Sequence, residues 1–144
     1  MSLNGPVNDS IPDPDRPDSS EGLILVVDDN PHILRLMVSL LGMRGLRAGA
    51  ATSLEEAMLV CQSQGGGVSV AIVDRSLCSG DRIGQLADLK KLVPHLKIIL
   101  TSGMLEEDCY QDEEDPPYDF FLQKPFTPGD LMKTLQRVSP AKRT

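Results

Sequence analysis

Short runs of apolar residues alternate along the chain with segments in which apolar residues recur every three or four positions. Uninterrupted apolar runs predict strands buried on both faces, and the wider spacing predicts amphipathic helices that cover them. The predicted strands are residues 23–27, 46–51, 68–74, 97–102 and 118–123. The second of these, LRAGAA, is weak and is expected at a sheet edge.

A helix is predicted after every strand. The helical stripes are residues 33–41, 54–61, 83–93, a weak segment at 104–114, and 131–138. Alternation of this kind predicts an α/β protein with a parallel sheet between two helical layers. The expected architecture is a flavodoxin-like (βα)5 three-layer sandwich with strand order 2-1-3-4-5, which puts the weak second strand at an edge.

The chain of 144 residues has room for one ordinary domain. The first twenty residues contain four prolines and four aspartates without an apolar period, which predicts a disordered N-terminal tail over residues 1–20. The domain itself is expected to span residues 21–140, followed by a short C-terminal tail at 141–144.

Composition argues against several classes of function. The formal charge of −7 disfavours nonspecific binding to nucleic acid or to an anionic membrane. No segment resembles a membrane span or a signal peptide. The three cysteines, Cys61, Cys78 and Cys109, fit neither a disulfide framework nor a zinc site and indicate free thiols in a reducing compartment. We therefore expect a cytoplasmic protein without nucleic-acid or membrane partners.

The acidic residues are concentrated in a few parts of the sequence. Four acidic residues lie in the first twenty residues and seven lie in 106–115, and three more end predicted strands. The remainder of the chain carries more basic than acidic residues, so the absence of a nucleic-acid partner depends on the absence of a binding motif as well as on net charge.

Polar side chains follow the predicted strands at the points where these end. Asp28 and Asp29 follow the first strand, Asp74 ends the third, Ser102 ends the fourth and Lys124 follows the fifth. Parallel strands bring their carboxyl ends to one edge, so these side chains are expected to converge. Each acid alone is equally well explained as a helix cap, but the combination of acids, hydroxyl and lysine favours a common site.

Three neighbouring carboxylates repel one another unless a cation neutralises them. Oxygen ligands without histidine or cysteine suit Mg²⁺. A metal, a lysine and an oxygen nucleophile are the components that phosphoryl transfer requires.

Four motifs, LVVDDN, AIVD, ILTSG and FLQKPF, follow one another in an order and spacing that resemble the receiver domain of response regulators in two-component signalling. The resemblance covers roughly residues 22–140. It implies a phosphoprotein of a phosphorelay in which Asp74 accepts a phosphoryl group as an aspartyl phosphate. It also implies that Mg²⁺ is bound directly by Asp29 and by Asp74, with Asp28 assisting largely through water and Ser76 offering its backbone carbonyl.

The remaining roles implied by the resemblance concern the phosphoryl group and the switch. Lys124 pairs with the phosphoryl group, and Ser102 moves towards it. Ser102 rather than Thr101 matches the conserved hydroxyl, because it precedes Gly103 and lies 22 residues before Lys124. Phe121, three residues before Lys124, matches the switch aromatic.

The resemblance implies a signalling receiver rather than an enzyme, although such a domain assists its own phosphorylation and dephosphorylation. The implied partners are a sensor histidine kinase or a histidine phosphotransfer domain. A downstream protein is expected on the face formed by the fourth helix, fifth strand and fifth helix, and homodimer formation stays open. The sequences FLQKPF and ILTSG resemble those of the terminal receiver of hybrid histidine kinases. A free-standing regulator is equally compatible with the sequence.

Two departures from the family pattern stand out. Leu77-Cys78 replaces the usual Leu-Pro or Met-Pro after the acceptor, and Asp115-Pro116-Pro117 replaces the usual Gly-Ala before the last strand. Two alternative functions also stay open. One is a Mg²⁺-dependent phosphohydrolase with an aspartyl nucleophile, and the other is a pseudo-receiver that acts only as a binding module.

Overall fold

The structure of the protein is a computed structural model, which describes residues 22–64, 67–78, 83–106 and 117–138. Its strands are β1 (Leu23–Val27), β2 (Ala48–Ala51), β3 (Val68–Asp74), β4 (Lys97–Ser102) and β5 (Phe120–Gln123). Its α-helices are α1 (Pro31–Met43), α2 (Leu54–Gln64), α3 (Gly84–Leu92) and α4 (Pro128–Val138). A short 3-10 helix, Arg75–Cys78, follows β3.

The five strands form one parallel sheet in the order β2-β1-β3-β4-β5. This arrangement confirms the predicted fold class and strand order. The weak strand β2 lies at one edge, where it pairs only with β1 over Ile24↔Ala48 to Val27↔Ala51. Its length of four residues is shorter than predicted, because Leu46 and Arg47 belong to the connection from α1.

Strand β5 lies at the other edge and begins two residues later than predicted. The reason is Asp119, whose backbone N–H donates to Ile98 O and whose Oδ2 accepts from Ile98 N, each at 2.9 Å. The Asp119 side chain thus replaces a backbone carbonyl at the start of the β4–β5 pairing. Lys90 of α3 lies 2.6 Å from the same carboxylate.

Side chains alternate across the sheet into two apolar layers. One layer, beneath α2 and α3, contains Leu25, Val27, Ala71 and Val73 of the central strands. The other layer lies beneath α1 and α4 and contains Ile24, Val26, Val70 and Ile72. Because the sheet is covered on both faces, the side chains on either side of each central strand are buried. This explains the near-continuous apolar runs of these strands.

Several predictions concern residues outside those that the structure describes. These are the tails at 1–20 and 141–144, Cys109, and Asp115-Pro116. Of the weak fourth helix at 104–114, only residues 104–106 are described, so helix α4 corresponds to the fifth predicted helix. Within the described part of the chain, no helix is long and apolar enough to cross a membrane.

Candidate functional site

Polar side chains meet at the carboxyl edge of the sheet, where β1, β3, β4 and β5 end. The strand register brings Asp74 beside Thr101 and Ser102 beside Gln123, so neighbouring strands end almost level. Asp28 follows β1 directly, and Lys124 follows β5 directly. The parallel order therefore places residues that are 96 positions apart in the sequence at one edge.

Lys124 joins the two buried carboxylates of this edge. Its Nζ donates to Asp74 Oδ1 at 2.7 Å and lies 3.6 Å from Asp28 Oδ2. Its backbone N–H donates to Ser102 O at 2.7 Å, and the Lys124–Pro125 peptide bond is cis. Burial lowers the pKa of Lys124, but the carboxylates of Asp74 and Asp28 together raise it more, so the ammonium form is favoured.

The two oxygens of Asp74 have different partners. Oδ1 accepts from Lys124, and Thr101 Oγ1 lies 3.5 Å from it. Oδ2 accepts from the Ser76 hydroxyl and from the Ser76 backbone N–H, the latter at 3.3 Å. Burial raises the pKa of Asp74, but the hydrogen bonds from Lys124 and Ser76 outweigh it and hold the pKa below its usual range. Asp74 is therefore a buried carboxylate kept in its ionised form.

Asp28 is only 5% exposed, and its environment differs from that of Asp74. Burial raises the pKa of the Asp28 carboxyl, and the negative charges of Asp74 and Asp29 add to this, against the opposing effects of the Asn30 N–H and Lys124. The cap of α1 is Asn30, whose Oδ1 accepts from His32 N at 2.9 Å. Asp28 is therefore not the helix cap, although its Oδ1 accepts from Asn30 N at 2.9 Å.

The third predicted carboxylate, Asp29, lies at the surface. The structure thus brings two of the three acids into direct contact with one cation, and Asp29 acts on Asp28 only through its charge. Among the described residues, no three His, Cys, Asp or Glu side chains form a group that could hold a metal ion. Of the three carboxylates that were expected to converge, only Asp28 and Asp74 do so in this structure.

The hydroxyl and the aromatic predicted for the switch lie close to this edge. Ser102 is 4% exposed, and its Oγ accepts from Met104 N at 2.9 Å. Phe121 is half-buried and packs on the layer beneath α2 and α3, with its ring centroid 6.1 Å from that of Tyr118. Tyr118 in turn donates its hydroxyl hydrogen to Glu106 Oε2.

Three contacts of the site were not predicted. The Ser76 side chain donates to Asp74, where only its backbone carbonyl was assigned a role. The Thr101 hydroxyl also lies 3.5 Å from Asp74 Oδ1, and Tyr118 connects Phe121 to Glu106. The spacing of Ser76, two residues after Asp74, and the TS pair at the end of β4 are the sequence signals that could have indicated the first two contacts.

The sequence matches the response regulator receiver domain family over residues 24–136, and the chain belongs to this family. Receiver domains are signalling modules of two-component systems that bind a divalent metal at the phosphorylation site and work with a histidine kinase.

Individual proteins similar to this chain agree with this family. Sensor kinase CckA of Brucella abortus (strain 2308) is 28% identical over 120 residues, which make up 83% of this chain and 13% of that protein. This chain therefore spans only a small part of the length of that relative.

Solved structures share the fold. A response regulator receiver domain protein from Clostridium thermocellum has a TM-score of 0.73 and 25% identity, covering 85% of this chain and 97% of that one. A response regulator from Burkholderia pseudomallei, solved with a phosphorylated aspartic acid, calcium ion and citrate, has a TM-score of 0.69 and 22% identity over 85% of this chain and 71% of that one.

Proposed function

We propose that Asp74 accepts a phosphoryl group from the phosphohistidine of a sensor histidine kinase or of a histidine phosphotransfer domain. The observation that carries this proposal is the 2.7 Å ion pair between Lys124 Nζ and Asp74 Oδ1. It keeps the carboxylate ionised, and only the ionised form is a nucleophile. It also places a cation where the charge of an incoming phosphoryl group must be balanced.

The transfer follows from these contacts. A carboxylate oxygen of Asp74 forms a bond to phosphorus while the phosphorus–nitrogen bond to histidine breaks, and the imidazole nitrogen keeps the electron pair. Lys124 stays close to the phosphoryl oxygens and binds them as the acyl phosphate forms. Ser76, which donates to Asp74 Oδ2, orients the carboxylate during the attack.

We assign Mg²⁺ to Asp28, Asp29, Asp74 and the backbone carbonyl of Ser76, with Asp29 turning inward from the surface position that it has in this structure. The donor chemistry fits, because all four groups are oxygen ligands of the kind that Mg²⁺ prefers. The site also carries more negative charge than Lys124 balances, since Asp74 and Asp29 both raise the pKa of Asp28. When bound, Mg²⁺ supplies positive charge to the phosphoryl oxygens.

The switch that we propose starts at Ser102 and ends at Phe121. Ser102 Oγ is held by the N–H of Met104, so turning it towards a phosphoryl group on Asp74 breaks that 2.9 Å hydrogen bond. Phe121 packs only partly in the core and moves into the space that Ser102 leaves. The output is then a changed surface for a downstream protein around β5 and α4.

Intact-mass spectrometry after incubation with Mg²⁺ and acetyl phosphate tests the proposal. The wild-type chain should gain one labile phosphate, and Asp74→Asn should gain none. Asp130→Asn is the matched control, because Asp130 lies on the exposed first turn of α4 and should not affect labelling. Full labelling of Asp74→Asn contradicts the assignment.

The same measurement separates the alternatives. Hydrolysis of acetyl phosphate without accumulation of a phosphorylated chain indicates a phosphohydrolase. If the phosphorylated chain does not accumulate and acetyl phosphate is not hydrolysed, the chain is a pseudo-receiver.

A further inference from the structure

Residues 103–106 follow strand β4, and all four are exposed. Burial of apolar surface therefore contributes little to holding this segment in place. Two side-chain hydrogen bonds hold it. Met104 N donates to Ser102 Oγ at 2.9 Å, and the Tyr118 hydroxyl donates to Glu106 Oε2 at 2.5 Å. The segment is thus held at its first residues by the end of β4 and at its last residue by a tyrosine.

Tyr118 is itself fixed to the core. Its side chain is 8% exposed and belongs to the apolar layer beneath α2 and α3. The next residue, Asp119, is bound through both its backbone and its carboxylate to Ile98, near the amino end of β4. Glu106 lies four residues beyond the carboxyl end of the same strand. The Tyr118 hydroxyl therefore ties an exposed segment after β4 to a residue that is fixed just before β5.

Tyr118 also contacts the aromatic residue of the proposed switch. The ring centroids of Tyr118 and Phe121 lie 6.1 Å apart and the ring planes are tilted by 53°, as in interacting aromatic pairs. Phe121 is half-buried against the same apolar layer, so its movement changes the packing of the Tyr118 ring. Tyr118 is thus connected to Phe121 by ring contact and to the segment after Ser102 by its hydroxyl.

We propose that the hydrogen bond from Tyr118 to Glu106 is a latch that holds residues 103–106 in their present conformation. In this conformation Ser102 Oγ accepts from the N–H of Met104. Tyr118 is a positioning residue, because it acts on Ser102 through the three residues between Ser102 and Glu106. Loss of the latch lets these three residues take up other conformations, in which the Ser102 hydroxyl is released from Met104 N.

The latch also opposes phosphorylation, and this step depends on Asp74 being the phosphoacceptor, as proposed above. Ser102 binds a phosphoryl group on Asp74 only after its hydrogen bond with Met104 N has broken and the backbone there has moved. A contact that stabilises only the unphosphorylated conformation lowers the affinity for the phosphoryl group by the same factor. One hydrogen bond contributes a factor of about five to such an equilibrium.

Amide hydrogen exchange of the full chain tests the latch without any phosphorylation. Tyr118→Phe removes the hydroxyl and keeps the ring, and Glu106→Ala removes the acceptor. Each variant should speed exchange of the Met104 amide about fivefold. The Lys124 amide, which donates to the end of β4 at 2.7 Å, is the reference within the same molecule and should change less. Glu55→Ala, which removes a carboxylate from the exposed first turn of α2, is the matched control and should change neither rate.

Titration with beryllium fluoride in the presence of Mg²⁺ tests the second step, because beryllium fluoride binds a carboxylate in place of a phosphoryl group. Tyr118→Phe and Glu106→Ala should each bind it about fivefold more tightly than the wild type does. The double variant should bind no more tightly than either single variant, since both changes remove the same hydrogen bond. A contact that only stabilises the fold does not raise this affinity when it is removed, so the direction of the change identifies a latch.

Three results overturn the latch. Unchanged exchange of the Met104 amide in both variants means that the hydrogen bond does not hold the segment. Equal acceleration of the Met104 and Lys124 amides means a general loss of stability. Unchanged affinity for beryllium fluoride in both variants, when the wild type binds it, means that the bond does not oppose phosphorylation.

These outcomes are separable from the proposed function. A chain that is labelled by acetyl phosphate, but whose variants have wild-type affinity and exchange, keeps the phosphoacceptor and loses the latch. A wild-type chain that is neither labelled nor bound by beryllium fluoride contradicts the proposed function, and exchange of the Met104 amide then decides alone whether the latch exists.

Discussion

Lys124 contributes to the site in three ways. Its ammonium balances two buried carboxylates, its stem lines an apolar groove, and its backbone N–H holds the end of β4. The two acids differ in pKa although they share this one cation. Asp74 accepts the hydrogen bonds that lower its pKa, whereas burial dominates at Asp28 and raises its pKa. One cation therefore produces two carboxylates of unequal acidity.

Removal of this cation should make stability depend on pH in a predictable direction. Lys124→Met leaves Asp28 and Asp74 facing each other without a cation, which should cost about 2 kcal/mol at pH 7 for this partly exposed pair. The wild-type pKa of Asp74 lies below its unfolded value of 3.8, so its contribution is present above pH 3.8 and is lost as pH falls through the folded pKa. In the variant, both acids should instead have raised pKa values and gain stability on protonation.

The difference in unfolding free energy between wild type and Lys124→Met should therefore shrink from pH 7 to pH 4, as measured by urea denaturation. Lys133→Met, an exposed change on α4, is the control and should show little difference at either pH. A Lys124→Met deficit that stays constant over this range contradicts the coupling.

Substitution of the two hydroxyl residues at the end of β4 should affect the labelling rate differently. Ser102 is expected to bind the phosphoryl group and its Oγ accepts from Met104 N, whereas Thr101 Oγ1 lies 3.5 Å from Asp74 Oδ1. Loss of one hydrogen bond to a charged group, worth about 1.4 kcal/mol or more, slows a reaction about tenfold. Ser102→Ala should therefore slow labelling of Asp74 by acetyl phosphate about tenfold, and the isosteric Thr101→Val should leave the rate nearly unchanged. The reverse order of rates would assign the phosphoryl-binding hydroxyl to Thr101.

At the scale of the elements, the ends of strands were harder to predict than their centres. Strands β1, β3 and β4 are runs of apolar residues, which are typical of buried strands, and their predicted bounds agree with the structure. Strand β5 begins late, because a side chain at Asp119 substitutes for the backbone in pairing with Ile98. Periodicity carries no information about such a substitution.

Asp119 is accordingly expected to stabilise the β4–β5 pairing more than its salt bridge would suggest. Asp119→Ala leaves the buried Ile98 N–H without its side-chain acceptor, which should cost about 1–3 kcal/mol of unfolding free energy. Lys90→Ala removes only the ion pair and should cost less than about 1 kcal/mol. Chemical denaturation of the two variants measures both values. Equal losses would mean that the salt bridge, and not the backbone hydrogen bond, is the stabilising contact.

For the whole molecule, topology could be predicted further than side-chain contacts. Alternating strand and helix patterns allow few arrangements, and the parallel order brings strand ends to one edge without any knowledge of packing. The placement of Asp28, Asp74 and Lys124 at one edge of the sheet follows from that order. The surface position of Asp29 and the Ser76 hydroxyl bond depend on local backbone turns, which residue patterns do not specify.

Net charge was the least informative whole-molecule quantity. The acids are concentrated in the first twenty residues, at the sheet edge and in 106–115, so the value of −7 describes no single surface. Residues 31–47, which include α1, contain three arginines and no acidic residue in an acidic protein. Partner recognition therefore depends on which face is presented and not on the overall charge.

The hydrogen bond between Glu106 and Tyr118 also affects how this protein can change over evolution. It brings together the two residues that flank the segment 107–117, independently of what lies between them. Each doubling of the length of a flexible connection adds only about 0.6 kcal/mol to the cost of bringing its ends together. A longer insertion between Glu106 and Tyr118 is therefore expected to leave the sheet and the site at its edge intact.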